Sequence, residues 1–196
     1  MSRLPPLPES ELTDEQRVVM RALLAGPRGV IEGPFIPLLR NPGLAARVEK
    51  VGEYLRFGGL LPAPVRELAI LVVAEAWHSP FEWYAHAPLA LKAGVPQSVV
   101  DSIGAGRRPE GADATLLAVH DFVAMLLDQR AVTDTVYRRA LDCLGEAGVI
   151  ELTGLCGYYA LLAMILNVSQ TGSPQGGSVP FDLPRASDGA SAPGGN

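Results

Sequence analysis

Apolar residues in this chain recur three and four positions apart, in segments separated by proline and glycine. This spacing places them along one side of an α-helix, whereas a half-buried strand would need strict alternation. No segment shows sustained alternation bounded by hairpin turns. Segment 62–76 is apolar on most of its faces, which is typical of a helix at the centre of a core. The pattern therefore predicts an all-α helical bundle.

Capping residues and breaks define the predicted helices. Thr13 can cap the first helix, and Asn41 followed by Pro42 favours the start of the second, because Asn caps a helix and Pro fits its first turn. Pro88 lies inside a predicted helix, where it should produce a kink or a break. The predicted helices cover residues 14–24, 42–57, 62–76, 80–92, 97–103, 113–129, 134–144 and 149–166.

The composition predicts a single domain with two flanking segments. With 196 residues, 48% of them hydrophobic, the chain can bury a substantial core. Charged residues make up only 19%, so either part of the surface is buried in an oligomer or the chain is simply rich in Ala and Gly. We expect an N-terminal extension over 1–12, a helical domain over 13–167, and a Gly/Ser/Pro-rich tail over 168–196. The tail would cross a neighbouring subunit or be disordered.

Charge and cysteine content limit the classes of function. The net charge is −5 and there is no basic stripe, which argues against nucleic-acid binding. The most apolar stretches are shorter than the roughly 20 residues of a membrane span, and the N-terminus lacks the apolar centre of a secretory signal. Cys143 and Cys156 give no disulfide framework. We therefore expect a cytoplasmic protein that binds neither nucleic acid nor membrane.

The densest group of polar side chains lies around the break at 79–80. Glu82 and His86 are four residues apart, so they share one face of a helix. If the helices on either side of the break pack antiparallel, Glu67 can approach that face. A carboxylate beside an imidazole favours its protonated form, whereas a second carboxyl in apolar surroundings tends to keep its proton. The three side chains would thus supply an acid and a base in one pocket.

Simpler interpretations of the same residues remain open. Glu82 and His86 could be an ordinary surface pair, and Glu67 a first-turn acid favoured by the helix dipole. Trp83 is more often a core residue than a ligand wall. His78, Glu82 and His86 have the spacing H-x3-E-x3-H, and two histidines with a carboxylate can hold a metal. Because His78 precedes the Ser-Pro break and should lie off the helix, we predict no metal site.

Six motifs spread over residues 15–167 together resemble one known family. They are G-P-F-I-P-L-L-R-N-P-G-L (33–44), Y-L-R-F (54–57), R-E-L-A-I-L-V-V-A (66–74), S-P-F-E-W-Y-A-H-A-P-L-A-L-K-A-G (79–94), D-F-V-A-M-L-L (121–127) and G-Y-Y-A-L-L-A-M-I-L-N (157–167). The chain resembles the carboxymuconolactone decarboxylase family. The resemblance implies an alkylhydroperoxidase D-like all-α bundle that assembles as trimers or hexamers.

One branch of the family consists of peroxidases, which use a Glu, a C-x-x-C pair and a His four residues after the second Cys. Aligned on the His, this branch places its Glu at Glu67 and its His at His86. The two cysteine positions are occupied by Ser79 and Glu82. Serine and glutamate cannot cycle between thiolate and disulfide, so we expect no thiol peroxidase activity.

The other branch is a decarboxylase that needs no cofactor and acts on 4-carboxymuconolactone. The resemblance implies that His86 is the general acid and base, Glu67 its orienter or proton relay, and Glu82 a second acid. Loss of CO2 leaves a dienolate, which such a pocket would stabilise and protonate on carbon.

The sequence therefore predicts a cofactor-independent lyase or isomerase for a small carboxylated or lactone-type substrate. Two alternatives stay open: an oxidoreductase that uses a metal or another redox partner, and a non-catalytic oligomeric binding protein. A cavity beside His86 would favour an enzyme, whereas a sealed contact would favour the binding protein. The predicted substrate-binding residues are Ser79, Trp83, His78, Arg66 and Arg40, with an arginine on the substrate carboxylate.

Overall fold

The computed structural model describes residues 2–173 and 179–181, and it contains no β-strand in these ranges. The fold is all-α, as the apolar spacing predicted. A short 3-10 turn precedes the first helix. The helices are α1 (Asp14–Ala25), α2 (Phe35–Leu38), α3 (Pro42–Glu53), α4 (Ala63–Ala76), α5 (Pro80–Lys92), α6 (Gln97–Gly104), α7 (Ala114–Gln129) and α8 (Asp134–Ser169).

Helix α4 lies at the centre of the bundle and packs against α5, α6, α7 and α8. Its run from Leu68 to Ala74 is buried without interruption, as expected for a helix that is apolar on most faces. Burial of each large apolar side chain contributes about 1.5–3 kcal/mol relative to exposure. The central position of α4 places Glu67, in its second turn, inside the protein.

The predicted helix starts are confirmed by side-chain caps. Thr13 accepts a hydrogen bond from the backbone N–H of Gln16, and the Gln16 side chain accepts one from the backbone N–H of Thr13. The Asn41 side chain accepts one from the N–H of Leu44 at 3.0 Å. Such caps stabilise a helix by about 1 kcal/mol each. Pro88 neither ends nor interrupts α5, so the break considered there does not occur.

The last two predicted helices are two helical segments that meet directly at a kink, and the label α8 covers both. The backbone departs from helical geometry only at Gly145, where φ is 68° and ψ is 173°. A positive φ has little steric cost for glycine, so the chain turns there without a connecting loop. The kink lies between the two predicted helices. After it, α8 continues to Ser169, beyond the predicted domain end at residue 167.

Among the described residues, one helix, α8, has the length and the apolar composition that could cross a membrane. The same residues serve a different purpose in the fold, because α8 packs against α4 and α7. Of its most apolar stretch of 18 residues, 61% is buried inside the protein. Buried core helices pass the same compositional test.

A glutamate from α8 fixes the turn that follows α3. This turn is a short π-helical segment, Tyr54–Gly58. The Glu151 carboxylate accepts hydrogen bonds from the backbone N–H groups of Leu60 at 2.8 Å and Leu61 at 3.0 Å, and from the Tyr54 hydroxyl at 3.0 Å. These bonds satisfy N–H groups that would otherwise be unpaired near the core. They also hold Arg56 at the edge of the bundle.

Part of the predicted C-terminal tail packs on its own chain. Phe181 makes edge-to-face contacts with His78 and Trp83, each with 5.6 Å between ring centroids. Pro180 lies against Gly104, where an added Cβ would come within 2.6 Å of the proline ring. Most of the tail lies outside the described residues, so its predicted crossing of a neighbour or disorder stays a prediction. The described part covers the back of α5.

Candidate active site

Helices α4 and α5 fold back on each other and bring Glu67 against His86. The corner between them contains His78, whose φ of 47° allows the sharp reversal. Oε2 of Glu67 lies 2.7 Å from Nδ1 of His86, and both side chains are buried. This is the approach that the helical hairpin predicted from spacing alone. The hairpin thus produces a buried carboxylate–imidazole pair.

Glu82 lies on the other side of the imidazole. Its Oε2 is 3.5 Å from Nε2 of His86, one turn along α5. Its Oε1 is buried and has no hydrogen-bond partner among the described residues. An unpaired carboxyl oxygen is costly to bury. His86 is therefore held between two glutamates.

The two glutamates have opposite pKa shifts. Burial raises the pKa of Glu67, but the hydrogen bond and charge of His86, together with Arg66, outweigh burial and leave the pKa below its ordinary value. Arg66 Nε donates to Oε1 of Glu67 at 3.1 Å. Burial raises the pKa of Glu82, and the nearby positive charges of His86, Arg56 and Arg28 do not cancel the effect. One carboxyl is thus a base and the other an acid.

A cavity of about 180 Å³ opens beside Glu82 and His86. Tyr159 forms one wall and contacts the His86 ring edge-to-face, with 5.1 Å between centroids. The Tyr158 hydroxyl is buried without a hydrogen-bond partner among the described residues, and burial raises its pKa to about 12. The cavity is lined by Arg28, Glu32, Pro34, Arg56, Phe81, Glu82, Tyr84, Ala85, His86, Leu89, Tyr158, Tyr159 and Leu162.

Two arginines of this cavity were missed by the sequence analysis. Arg28 donates to Glu49 at 3.0 Å and lies over the Phe35 ring, 4.3 Å from its centroid. Arg56 has no ion-pair partner among the described residues; its guanidinium lies 5.2 Å from the Phe57 ring centroid. Arg56 belongs to the Y-L-R-F motif, and that motif could have identified it as a candidate site residue. Arg28 lies in a Gly/Pro-rich loop, where no sequence pattern indicated a site residue.

Two predicted substrate-binding residues lie on the back of α5 and do not line the cavity. Trp83 is buried against Phe181, because it faces away from Glu82 on the same helix. His78 remains at the corner and also contacts Phe181. The side chains of Trp83 and His78 contact Phe181 of the tail and do not line this cavity, and their role as ligand contacts stays a prediction.

The remaining three predicted substrate-binding residues are also absent from the cavity lining. Ser79 is fully buried at the start of α5, and its hydroxyl has no partner among the described residues. Arg40 donates to the carbonyl of Pro5 at 2.7 Å, so it anchors the N-terminal segment. Arg66 binds Glu67 from the side away from the cavity lining. The arginines that line the cavity are Arg28 and Arg56.

The described residues contain no group of three or more His, Cys, Asp or Glu side chains placed to hold a metal ion. The cysteines are also remote from the chemistry. Cys156 is buried in α8, and burial raises the pKa of its thiol to about 12. Cys143 is exposed, and neither cysteine lines the cavity. Thiolate chemistry has no suitable group at this site.

The fold and the site define an all-α protein with a buried Glu–His–Glu group beside a small cavity. Residues 42–122, which include all three side chains, match the model of the Carboxymuconolactone decarboxylase family. This confirms the resemblance inferred from the motifs.

Solved structures give the same fold. The debrominase Bmp8, as a cysteine-to-alanine variant in complex with 2,3,4-tribromopyrrole, has a TM-score of 0.69 and 12% identity, covering 90% of this chain and 94% of that one. The apo form of Bmp8 has a TM-score of 0.68 and 12% identity, covering 88% and 92%. At this identity the likeness establishes the fold alone. No curated protein matches the sequence.

Proposed function

We propose that this protein is a cofactor-independent lyase or isomerase that acts on a small carboxylated or lactone-type substrate by proton transfer. The observation that carries the proposal is the position of His86 between Glu67 and Glu82 at the wall of a cavity. The match of residues 42–122 to the family model supports an enzyme, and His86 with its two glutamates is the group best suited to acid–base chemistry.

The two carboxyl groups divide the work of proton transfer. Glu67, with its lowered pKa, is ionised and accepts the hydrogen bond of the Nδ1–H group of His86, which fixes the ring orientation. Burial raises the pKa of Glu82, which favours its protonated form beside Nε2. Nε2 is therefore the atom that exchanges a proton with the substrate, and Glu82 resupplies it.

A decarboxylation at this site balances without an added cofactor. The bond between the substrate carbon and its carboxylate breaks, CO2 leaves, and the electron pair shifts into the lactone carbonyl as a dienolate. His86 then delivers a proton to the carbon, and Glu82 passes its own proton to Nε2. In an isomerisation, the same nitrogen removes a proton from one carbon and returns it to another.

Two arginines and a tyrosine of the cavity can stabilise the negative charge of the substrate and of the enolate. Arg28 is already paired with Glu49, so Arg56 is the better candidate to bind a substrate carboxylate. The unpaired Tyr158 hydroxyl can donate to the enolate oxygen as charge develops there. A dry cavity of about 150 Å³ accommodates benzene. The cavity of about 180 Å³ beside His86 thus fits a single small ring.

The cavity also discriminates between the alternatives. His86 lines an open space and is not sealed into a packed contact, which supports an enzyme over a purely structural role. Bmp8 is a debrominase, but thiol-dependent chemistry on a halogenated ring would need a cysteine at the cavity, and none lines it. Purified protein should be analysed for bound metal to test the oxidoreductase alternative.

A panel of lactones and carboxylic acids tests the proposal. Ligands that bind the folded protein raise its melting temperature. Those that do so are incubated in D2O, and NMR follows deuterium incorporation or CO2 release. We expect turnover by the wild type and none by His86→Ala, which stays folded and keeps its assembly. Turnover retained in a folded His86→Ala protein, or robust peroxide reduction with a dithiol, would contradict the proposal.

We also propose that the protein assembles as a trimer or hexamer, the state that the resemblance implies. Large apolar side chains are exposed on two neighbouring helices: Leu44 and Val51 on α3, and Met164 and Val168 on α8. A contiguous apolar surface of this kind is characteristic of an interface. Sedimentation of the wild type and of a Val51→Glu variant tests this. A monomeric wild type would refute the proposal.

A further inference from the structure

A second cavity of about 520 Å³ lies between α4, α6 and α7 and shares no lining residue with the first. Its size is within the range of about 300–1,000 Å³ that is typical of ligand sites. Val72, Ile103 and Leu127 give it apolar walls. The cavity also contains four ionisable groups that the proposed reaction does not use, in addition to one arginine that is already paired.

The acid from α4 lacks a partner in this cavity. The Glu75 side chain is partly buried and makes no hydrogen bond or ion pair with the described residues; burial raises its pKa, and the charge of His78 offsets only part of that effect. Its Oε1 would lie 3.2 Å from a Cβ atom built at Gly106. The bare backbone at this position leaves room for the Glu75 carboxyl group. A side chain at Gly106 would also be strained, because its φ is +64°.

One side of the cavity is already neutralised. Arg108 donates to both oxygens of Asp121, at 2.6 and 2.9 Å, so its charge is satisfied. His120 is 8% exposed, and its Nδ1 lies 3.4 Å from Asp121. Burial lowers the pKa of His120, so the ring is neutral at neutral pH. These three residues add no free charge to the cavity.

The charges left over come in both signs. Arg107 and Asp128 line the cavity as solvent-exposed residues with no ion-pair partner among the described residues, and the partly buried Glu75 adds a second unpaired acid. A simple anion would face two carboxyl groups, whereas a simple cation would face the guanidinium. A ligand with both charges satisfies all three side chains. We infer that this second cavity binds a small zwitterion with an apolar body, of the α-amino acid class.

Each part of such a ligand has a matching group. Arg107 binds the carboxylate, and Asp128 with Glu75 binds the ammonium group. The apolar side chain of the ligand lies against Val72 and Leu127, where it is removed from water. His120 supplies a neutral hydrogen-bonding group on the α7 wall.

NMR titration of the full-length protein with L-leucine and with L-phenylalanine tests this inference. Two analogues of leucine separate the charges: 4-methylpentanoate lacks the ammonium group, and 3-methylbutylamine lacks the carboxylate. We expect at least one of the two amino acids to bind saturably. Its Kd should be at least about tenfold lower than the Kd of either analogue, which corresponds to 1.4 kcal/mol.

Matched variants assign the binding to this cavity. Arg107→Gln should weaken amino-acid binding at least tenfold and leave the amine unchanged, whereas Asp128→Asn should weaken amino-acid binding and leave 4-methylpentanoate unchanged. Glu82→Gln, in the first cavity, should change neither the binding of the amino acids nor the binding of the two analogues. The inference is overturned if neither amino acid binds saturably up to about 10 mM. It is also overturned if an analogue binds as tightly as the amino acid, or if Glu82→Gln abolishes binding while Arg107→Gln does not.

Discussion

Glu67 and His86 join α4 to α5 through a buried contact of 2.7 Å between Oε2 and Nδ1. The contact links two helices that are adjacent in sequence and gives the imidazole one orientation. Arg66 binds the other oxygen of Glu67, so the carboxylate is held on both sides. The structure thus leaves Nε2 as the histidine nitrogen on the Glu82 side.

Replacement of Glu67 by Gln should destabilise the protein in a pH-dependent way. Because the folded-state pKa of Glu67 is lowered, its stabilisation is present above the unfolded value of 4.5 and is lost as the pH falls through the folded value. We expect a loss of about 1–2 kcal/mol at pH 7 that shrinks below pH 4.5. Urea unfolding measures it, with Glu146→Gln, at an exposed position, as control. A loss that is unchanged at low pH would contradict this origin.

Replacement of Glu82 by Gln should have the opposite effect on stability. The folded-state pKa of Glu82 is raised, so its contribution is fully present below the unfolded value of 4.5 and is lost as the pH rises through the folded value. We expect Glu82→Gln to be more stable than the wild type at pH 7 and equal to it near pH 4. Loss of the acid should lower kcat by about 10²-fold or more. A variant that is less stable at pH 7 would show that Glu82 is held ionised.

Arg56 should determine the affinity for a carboxylated substrate. Loss of a hydrogen-bonded charge pair costs about 1.5–3 kcal/mol, so we expect Arg56→Gln to raise KM or the ligand Kd roughly 10- to 150-fold. Arg40→Gln is the matched control, because Arg40 binds backbone carbonyls of the N-terminal segment. Equal effects of the two substitutions on ligand affinity would exclude Arg56 as the carboxylate-binding residue.

The contact of Phe181 with α5 should contribute measurably to stability. Phe181 is partly buried and makes two edge-to-face contacts, each worth about 0.5–1.5 kcal/mol. Phe181→Ala should therefore lower the free energy of unfolding by about 1–2 kcal/mol, whereas Phe57→Ala, at a side chain that is 51% exposed, should change it little. Calorimetry provides the comparison. An unchanged melting temperature for Phe181→Ala would mean that the tail does not hold α5.

Much of the fold could be predicted because helical periodicity is a local property. The starts of α1 and α3 follow from Thr13 and Asn41, and the burial of α4 follows from its apolar faces. The two predicted helices on either side of Gly145 are present, but the lack of a connecting loop between them could not be predicted, because a glycine with positive φ can end a helix or redirect it.

Spacing along the chain was enough to place Glu82 and His86 on one face of α5, because residues four apart on a helix lie one turn from each other. The approach of Glu67 and the surroundings of all three side chains depended on tertiary packing. Arg28 comes from a distant loop and Tyr158 from α8, and their convergence depends on how the helices pack. Packing also turned Trp83 and His78 away from the cavity towards Phe181. Local spacing fixes which face of a helix a residue occupies, but only the packed neighbours decide whether that face borders a cavity or the core.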